Sequence, residues 1–315
     1  MPPLAARRPA VLPLRRLERD EWRAREQAHA HRAEALTAEH RARAARGEKH
    51  PVWDFLFTYY SYKPATLRRW HPGPRVELAD AAERLAWRWY ATGSDAAAAV
   101  VDGDAFAREK AGLARLIEIM LRRTADRPGR FDCFGLHEWA MVYRQGDHRH
   151  PVPLRLGQDG SDAVVETHDL KCTHYDAFRF FTPDAVPRNQ LVPTRDTQPA
   201  LDQPGCLHAG MDVYKWAVKL GPLVPGDLLL DAFELARDVR RLDMEAAPYD
   251  LAEWGFGAVR IETPEGKAEY VRRQRALAER GNALRRRILD AWAPEAHAER
   301  RAAESIAHAA TTPAA

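Results

Sequence analysis

The chain has 315 residues, 45% hydrophobic and 30% charged, with a formal net charge of +3. No apolar run approaches the roughly 20 residues of a membrane-spanning helix, and MPPLAARRPAVLPLRRLERDEW has no sustained apolar core of the kind a secretory signal needs, so a cytoplasmic protein without a membrane partner is expected. The small net charge does not diagnose nucleic acid, and Cys133, Cys172 and Cys206, odd in number and far apart, argue against a disulfide framework and read as buried thiols.

Residues 1–13 are expected to be flexible. Residues 14–46, rich in Arg, Glu and Ala, predict a long, mostly exposed helix ended by Gly47. Seven aromatics then lie between Trp53 and Trp70, a core or a stacking surface, before the breaker run His71-Pro72-Gly73-Pro74. Helices are predicted over 77–91 and 104–124, the second with Leu113, Leu116, Ile117, Met120 and Leu121 as its apolar stripe. Over 152–168, two short strands are expected to flank the turn Gln158-Asp159-Gly160-Ser161 as a small hairpin. The proline-rich stretch 182–205 reads as a long functional loop. Helices follow over 206–220, 226–247 and 263–292, and the alanine-rich residues 293–315 read as a disordered tail. The sum is a mainly α fold with a small β-hairpin, a single helical domain over 14–292 carrying a long proline-rich loop.

Chemistry is densest between Glu166 and Trp216, where 51 residues hold three histidines, seven acids, six aromatics and two cysteines. In CLHAGMDVYKW, His208 and Asp212 stand four apart, on one helix face, where an imidazole and a carboxylate can share a proton, orient water or ligate a metal; a histidine satisfied by its helix neighbour is the bland alternative. His168, His174 and Asp176 in HDLKCTHYD could join them as ligands of a divalent metal, although no strong metal signature is matched. In FDCFGLHEWAMVYR, His137 and Glu138 are adjacent and point about 100° apart on a helix, which favours packing over joint action. On 226–247, Asp227, Asp231, Glu234 and Asp238 form an acidic stripe read as a solvated face, with Arg237, Arg240 and Arg241 as its partners. Asp243, Tyr249 and Asp250 lie near the helix end, better placed for ligand contact. Asn189 and Arg195 could hydrogen-bond an anion or a base edge from the loop. No phosphate-binding loop, dinucleotide fingerprint or serine-hydrolase elbow is present in the sequence.

At GEKHPVWDFLFTYYSYKPATLRRWHPG, FDCFGLHEWAMVYR, THDLKCTHYDAFRFFTPDAVPRN, QPGCLHAGMDVYKW and RIETPEGKAEY the chain resembles a bacterial family labelled 3-methyladenine DNA glycosylase, over roughly residues 14 to 290. The resemblance implies DNA repair: hydrolysis of the base–sugar bond of alkylated purines in damaged duplex DNA, without a cofactor. Such an enzyme extrudes the nucleotide and stacks its base on aromatic rings, a role suited to Tyr175, Phe178, Tyr214, Trp216 and Tyr249. A carboxylate then orients water or stabilises the sugar cation, with Asp212 the first choice, Glu138 and Asp243 behind it, and His208 as acid–base partner. LGPLVPGDLLLDAFELARD only faintly echoes the helix-hairpin-helix glycosylases, lacking their second hairpin glycine and basic residue, so no catalytic role is carried onto Asp238. Two other readings stand beside this one: a metal-dependent enzyme acting on a small molecule through His168, His174, Asp176, His208 and Asp212, and a non-catalytic nucleic-acid-binding protein using basic ends that include Arg15, Arg16, Arg285 and Arg286.

Overall fold

The computed structural model describes residues 14–146 and 152–292. The expectations for residues 1–13 and 293–315 fall outside the described residues. The fold is mainly α, as the sequence implies, with a four-stranded sheet of three-residue strands at one end of the chain. In chain order, β1 (Arg15–Leu17) leads into α1 (Arg19–Ala45), followed by short helices α2 (Phe55–Thr58) and α3 (Pro64–Arg68). Strands β2 (Val76–Leu78), β3 (Tyr90–Thr92) and β4 (Ala99–Val101) come next. Then follow α4 (Gly103–Asp126), α5 (Leu136–Ala140), α6 (Gly157–Glu166), α7 (Tyr175–Phe178), α8 (Gln198–Leu201), α9 (Leu207–Leu220), α10 (Gly226–Glu245) and α11 (Pro264–Trp292).

Two predicted elements are overturned. The helix expected over 77–91 is instead β2, a 3-10 turn at Ala82–Ala86 and β3. Asp80 and Trp89 adopt left-handed φ values of 47° and 61°, which no continuous helix can contain. Glu77, which the helix would have exposed, sits at 4% exposure in β2 and is ion-paired to Arg16 of the chain's first strand. The sheet order is β1-β2-β4-β3, with β1 and β2 parallel and the other pairs antiparallel. The hairpin expected over 152–168 is also absent: α6 runs through its turn, because Ser161, Val164 and Val165 at helical spacing form one buried face. Among the described residues Leu154 keeps the only strand-like pairing there, an isolated antiparallel bridge to Tyr249.

Elsewhere the apolar period sets the helices. Ile117, Met120 and Leu121 bury on α4, whose first turn is capped by Asp102 accepting from Ala105 N at 2.8 Å; Leu116, expected in the same stripe, stays 43% exposed. One apolar cluster extends from Ala33 to Leu289 with α9 and α10 at its centre. Helix α9 is buried over most of its circumference, from Leu207 to Tyr214 without a break. A helix so enclosed must satisfy any polar side chain it carries from its neighbours, and His208 and Asp212 are both on it. No helix among the described residues is long and apolar enough to cross a membrane.

Candidate functional site

Helix α5 carries His137 and Glu138 into the interior. It is only five residues long, and its direction is fixed at both ends. Phe134 and Gly135 precede it with φ of 49° and 73°, a left-handed corner costly for phenylalanine. Trp139, fully buried, donates Nε1–H to Ala246 O at 2.9 Å and so moors α5 to the end of α10. The consequence is that one ligand atom from each of His137, Glu138, His208 and Asp243 lies within 4.8 Å of the others. Adjacency in sequence therefore does not separate His137 from Glu138, contrary to the expectation from helix geometry, because two side chains from one short turn can reach a common point from its end.

Within this cluster His137 Nε2 is 2.8 Å from Asp243 Oδ1, and Arg240 Nη1 donates to Asp243 Oδ2 at 3.0 Å while standing 3.7 Å from Glu138 Oε1. Burial opposes charge on His137, but the Asp243 carboxylate and its hydrogen bond outweigh that and raise the imidazole pKa well above its ordinary value. Burial would likewise raise Asp243, and the facing His137 reverses this and lowers it. His208, its ring 4.5 Å from that of His137, is pushed well below its ordinary pKa by burial and then by the charge of His137. Both effects favour the neutral imidazole, and among the described residues its buried Nδ1 has no hydrogen-bond partner.

Arg240 is 1% exposed, so it is not the surface partner of the acidic stripe that its sequence position suggested. The stripe itself is ion-paired at the surface, Asp231 and Glu234 to Arg32 and Asp238 to Arg280. The misassigned arginine had a sequence signature: Ala232, Ala236, Arg240 and Asp243 continue the core period of α10, and a charge recurring at core spacing requires buried partners.

A second buried group adjoins the first. His174 Nδ1 is 2.9 Å from Asp202 Oδ1 and its Nε2 is 3.9 Å from Asp212 Oδ2. Asp212 accepts from Lys215 Nζ at 2.5 Å and from the Tyr60 hydroxyl at 3.4 Å. The His174 ring lies 5.6 Å from that of His208, so His208 and Asp212, expected to work as a pair, belong to neighbouring groups with His174 between them. Despite burial, which works against charge on both, Asp202 raises the His174 pKa and Asp212 raises that of Lys215.

The first group opens onto a cleft of about 740 Å³. Glu138, His208 and Arg240 line its floor, and Phe55, Tyr59, Phe180, Tyr249 and Trp254 supply its rings. Phe55 and Tyr59, four apart on and just beyond α2, stack at 4.8 Å and 9°, and Arg240 lies 4.1 Å over the Phe55 ring. Lys49, His50 and Asp54 stand on the same lining, with Asp176. His137 and His208 also line a much smaller cavity of about 10 Å³ beside Cys133, Cys172 and Cys206, which are brought together there although they are distant in sequence.

Of the other residues singled out in the sequence, Tyr249 alone among the expected ring contacts lines the cleft. Tyr214 is fully buried against Tyr60, Tyr62 and Phe233, and Phe178 packs on Phe181. Trp216 is covered by Lys215 and Lys219, and Arg195 lies over Tyr175 at the surface. Asn189 is consumed by backbone, accepting from Cys172 N and donating to Cys172 O and Leu191 O, so it is not free to read a base. His168 Nδ1 is bonded to Val164 O at 2.7 Å, away from both groups. Arg285, expected on a basic end, is 2% exposed and donates to Ala209 O on α9.

Comparison with protein-family models, curated proteins and solved structures finds no match to the chain.

Proposed function

We propose that the chain is a hydrolase of the base–sugar bond, acting on an alkylated purine seated in the cleft between α2 and the loop after α10, with damaged duplex DNA as its source. The observation that carries this reading is the joint placement of Glu138 and a neutral His208 on the floor of a cleft walled by aromatic rings. A flat cationic base gains from stacking on Tyr59, Tyr249 and Trp254, because electron-rich ring faces attract positive charge. Rupture of the C–N bond sends its electron pair to the departing base, which leaves neutral, and positive charge grows on the sugar. The Glu138 carboxylate stabilises that charge and orients the attacking water, whose proton passes to His208 or Glu138.

This reading moves the catalytic carboxylate from Asp212 to Glu138, since Asp212 is held by Lys215 and does not line the cleft. The test is release of free base from methylated duplex DNA, followed chromatographically with enzyme in excess, in chelator and again with added divalent metal. Glu138→Gln is expected to slow release by about 100-fold, the usual scale for loss of a positioned acid–base group. Absence of free base under both conditions rejects the reading. Release from free methylated nucleosides but not from DNA keeps the chemistry and removes the DNA partner.

A further inference from the structure

We propose that the floor of the cleft is a binding site for a divalent transition ion of the zinc or ferrous class, ligated by His137, Glu138, His208 and Asp243. Three separate helices, α5, α9 and α10, deliver these side chains, and each offers one ligand atom within 4.8 Å of the rest. Ligand bonds of about 2.0–2.2 Å place tetrahedral donors about 3.4 Å apart, so four atoms already within 4.8 Å of one another reach that spacing by side-chain shifts on the order of 1 Å, the 2.8 Å His137–Asp243 pair opening as the others close. Two imidazoles with two carboxylates suit a zinc or iron ion better than magnesium or calcium, which favour all-oxygen shells.

A second observation points independently to a ligand. His208 is 8% exposed, yet its buried Nδ1 has no hydrogen-bond partner among the described residues. A buried polar atom left unsatisfied costs about 1–3 kcal/mol, so native interiors rarely keep one without a reason. An ion bound through Nδ1 would give that nitrogen its partner.

The existing contacts accommodate the exchange. The proton now shared by His137 Nε2 and Asp243 Oδ1 occupies the line that the ion would take, and it would leave to solvent as the ion enters. Asp243 Oδ2 keeps its bond from Arg240, which then orients the ligating carboxylate from outside the shell. The cleft side remains open to water or substrate, since Glu138 and His208 both line it. The neighbouring group of His174, Asp202 and Asp212 has similar donors but lacks the second observation: Lys215 sits 2.5 Å from Asp212, His174 is bonded to Asp202, and among the described residues none of its buried side-chain atoms is left without a partner. The ligand set also differs from the one suggested by sequence, sharing only His208 with it.

The inference concerns the same floor as the proposed hydrolysis but is tested without substrate, so a protein that binds the ion and releases no base fails only the glycosylase reading. The full chain is purified and its metal content measured, then it is stripped with chelator and titrated with Zn²⁺, anaerobic Fe²⁺ and the spectroscopic probe Co²⁺. One ion per chain is expected, with visible cobalt absorption. His208→Gln and Glu138→Gln should each weaken binding by at least about tenfold, and His168→Gln should leave it unchanged. Folding of every variant is checked by circular dichroism. If His208→Gln does not fold, Glu138→Gln and the wild-type cobalt spectrum decide the question. Stripped wild-type protein that takes up no ion overturns the proposal, as does uptake equal in wild type and in the folded ligand variants.

Discussion

His137 Nε2 and Asp243 Oδ1 meet at 2.8 Å across 106 residues of chain, both side chains fully enclosed. The contact ties the short helix α5 to α10, and Arg240 completes it as a buried three-member ion group with the carboxylate in the middle. Removing the central charge lets His137 fall back to a neutral imidazole and takes from the buried Arg240 guanidinium its nearest carboxylate. Asp243→Asn is therefore expected to lower unfolding stability by about 3–5 kcal/mol, the cost of stranding a buried charge. Urea titration measures this. A second substitution, Arg240→Met, made in the Asp243→Asn background should recover part of the loss, and a loss below about 1 kcal/mol in the single variant would mean that the group carries no charge that matters to folding.

The cleft needs its rings as well as its floor. Phe55 and Tyr59 stack on each other, and together they present one wall of the cleft. Tyr59→Ala is expected to weaken binding of a methylated purine by about 1–3 kcal/mol, the range measured for loss of one stacking platform, with little change in folding since Tyr59 is only partly buried. Fluorescence titration with the methylated nucleoside gives the comparison. Equal affinity in the variant would remove this wall from the site.

How far the sequence disclosed all this depends on the range of the information. The apolar periods of α4, α9, α10 and α11 are local, and each of these helices lies where its period puts it. The segment 77–91 misleads because alanines and arginines are good helix formers, whereas the deciding facts are the left-handed Asp80 and Trp89 and the long-range ion pair of Glu77 with Arg16. For the site, His208, Glu138 and Asp243 were legible as titratable residues in apolar surroundings. Their convergence was not, since it depends on the corner at Phe134–Gly135 and on a contact between α5 and α10 that no local pattern encodes. Asn189 illustrates the converse: a polar loop residue that looked available is saturated by the backbone it organises.

His71 makes acid stability testable outside the site. Its Nδ1 is 2.9 Å from the Tyr90 hydroxyl, and burial, with Arg84 and Arg69 nearby, pushes its pKa from 6.5 down to about 3. In the unfolded chain it takes up a proton near 6.5, while the folded chain refuses that proton until about 3. Its contribution to stability is thus intact above 6.5 and is lost as pH falls toward 3. One such proton changes stability by up to about 1.4 kcal/mol per pH unit. His71→Gln is expected to flatten the stability profile between neutral and mildly acidic pH relative to wild type. Parallel profiles would show that His71 titrates alike in both states.

Gly205 governs where α9 begins. Its amide donates to Gln203 Oε1 at 2.7 Å and its carbonyl accepts from Gln274 at 2.6 Å, and a Cβ added there would lie 2.1 Å from the Arg130 carbonyl oxygen. Since backbone cannot swing aside as a side chain can, Gly205→Ala must displace the segment that leads into His208. A loss of about 1–3 kcal/mol is expected, accompanied by weaker ion binding on the cleft floor. Wild-type stability in this variant would mean that the 128–135 and 203–206 segments shift freely relative to each other.

Asp212 and Glu138 separate a structural carboxylate from a chemical one. Asp212, enclosed with Lys215, Tyr60 and His174, is placed to hold α9 against its neighbours, whereas Glu138 faces the cleft beside His208. Asp212→Asn leaves the ammonium of a largely buried lysine with Asp176 at 3.7 Å as its carboxylate partner and is expected to cost about 1–3 kcal/mol, with base release per folded molecule changed by less than tenfold. Glu138→Gln is expected to show the reverse balance, a small change in stability and a loss of turnover of about 100-fold. Urea titration and single-turnover release measured on the same two proteins decide between the roles. If Asp212→Asn abolishes release while remaining as stable as wild type, the reacting carboxylate is Asp212 and the cleft floor is the wrong place for the chemistry.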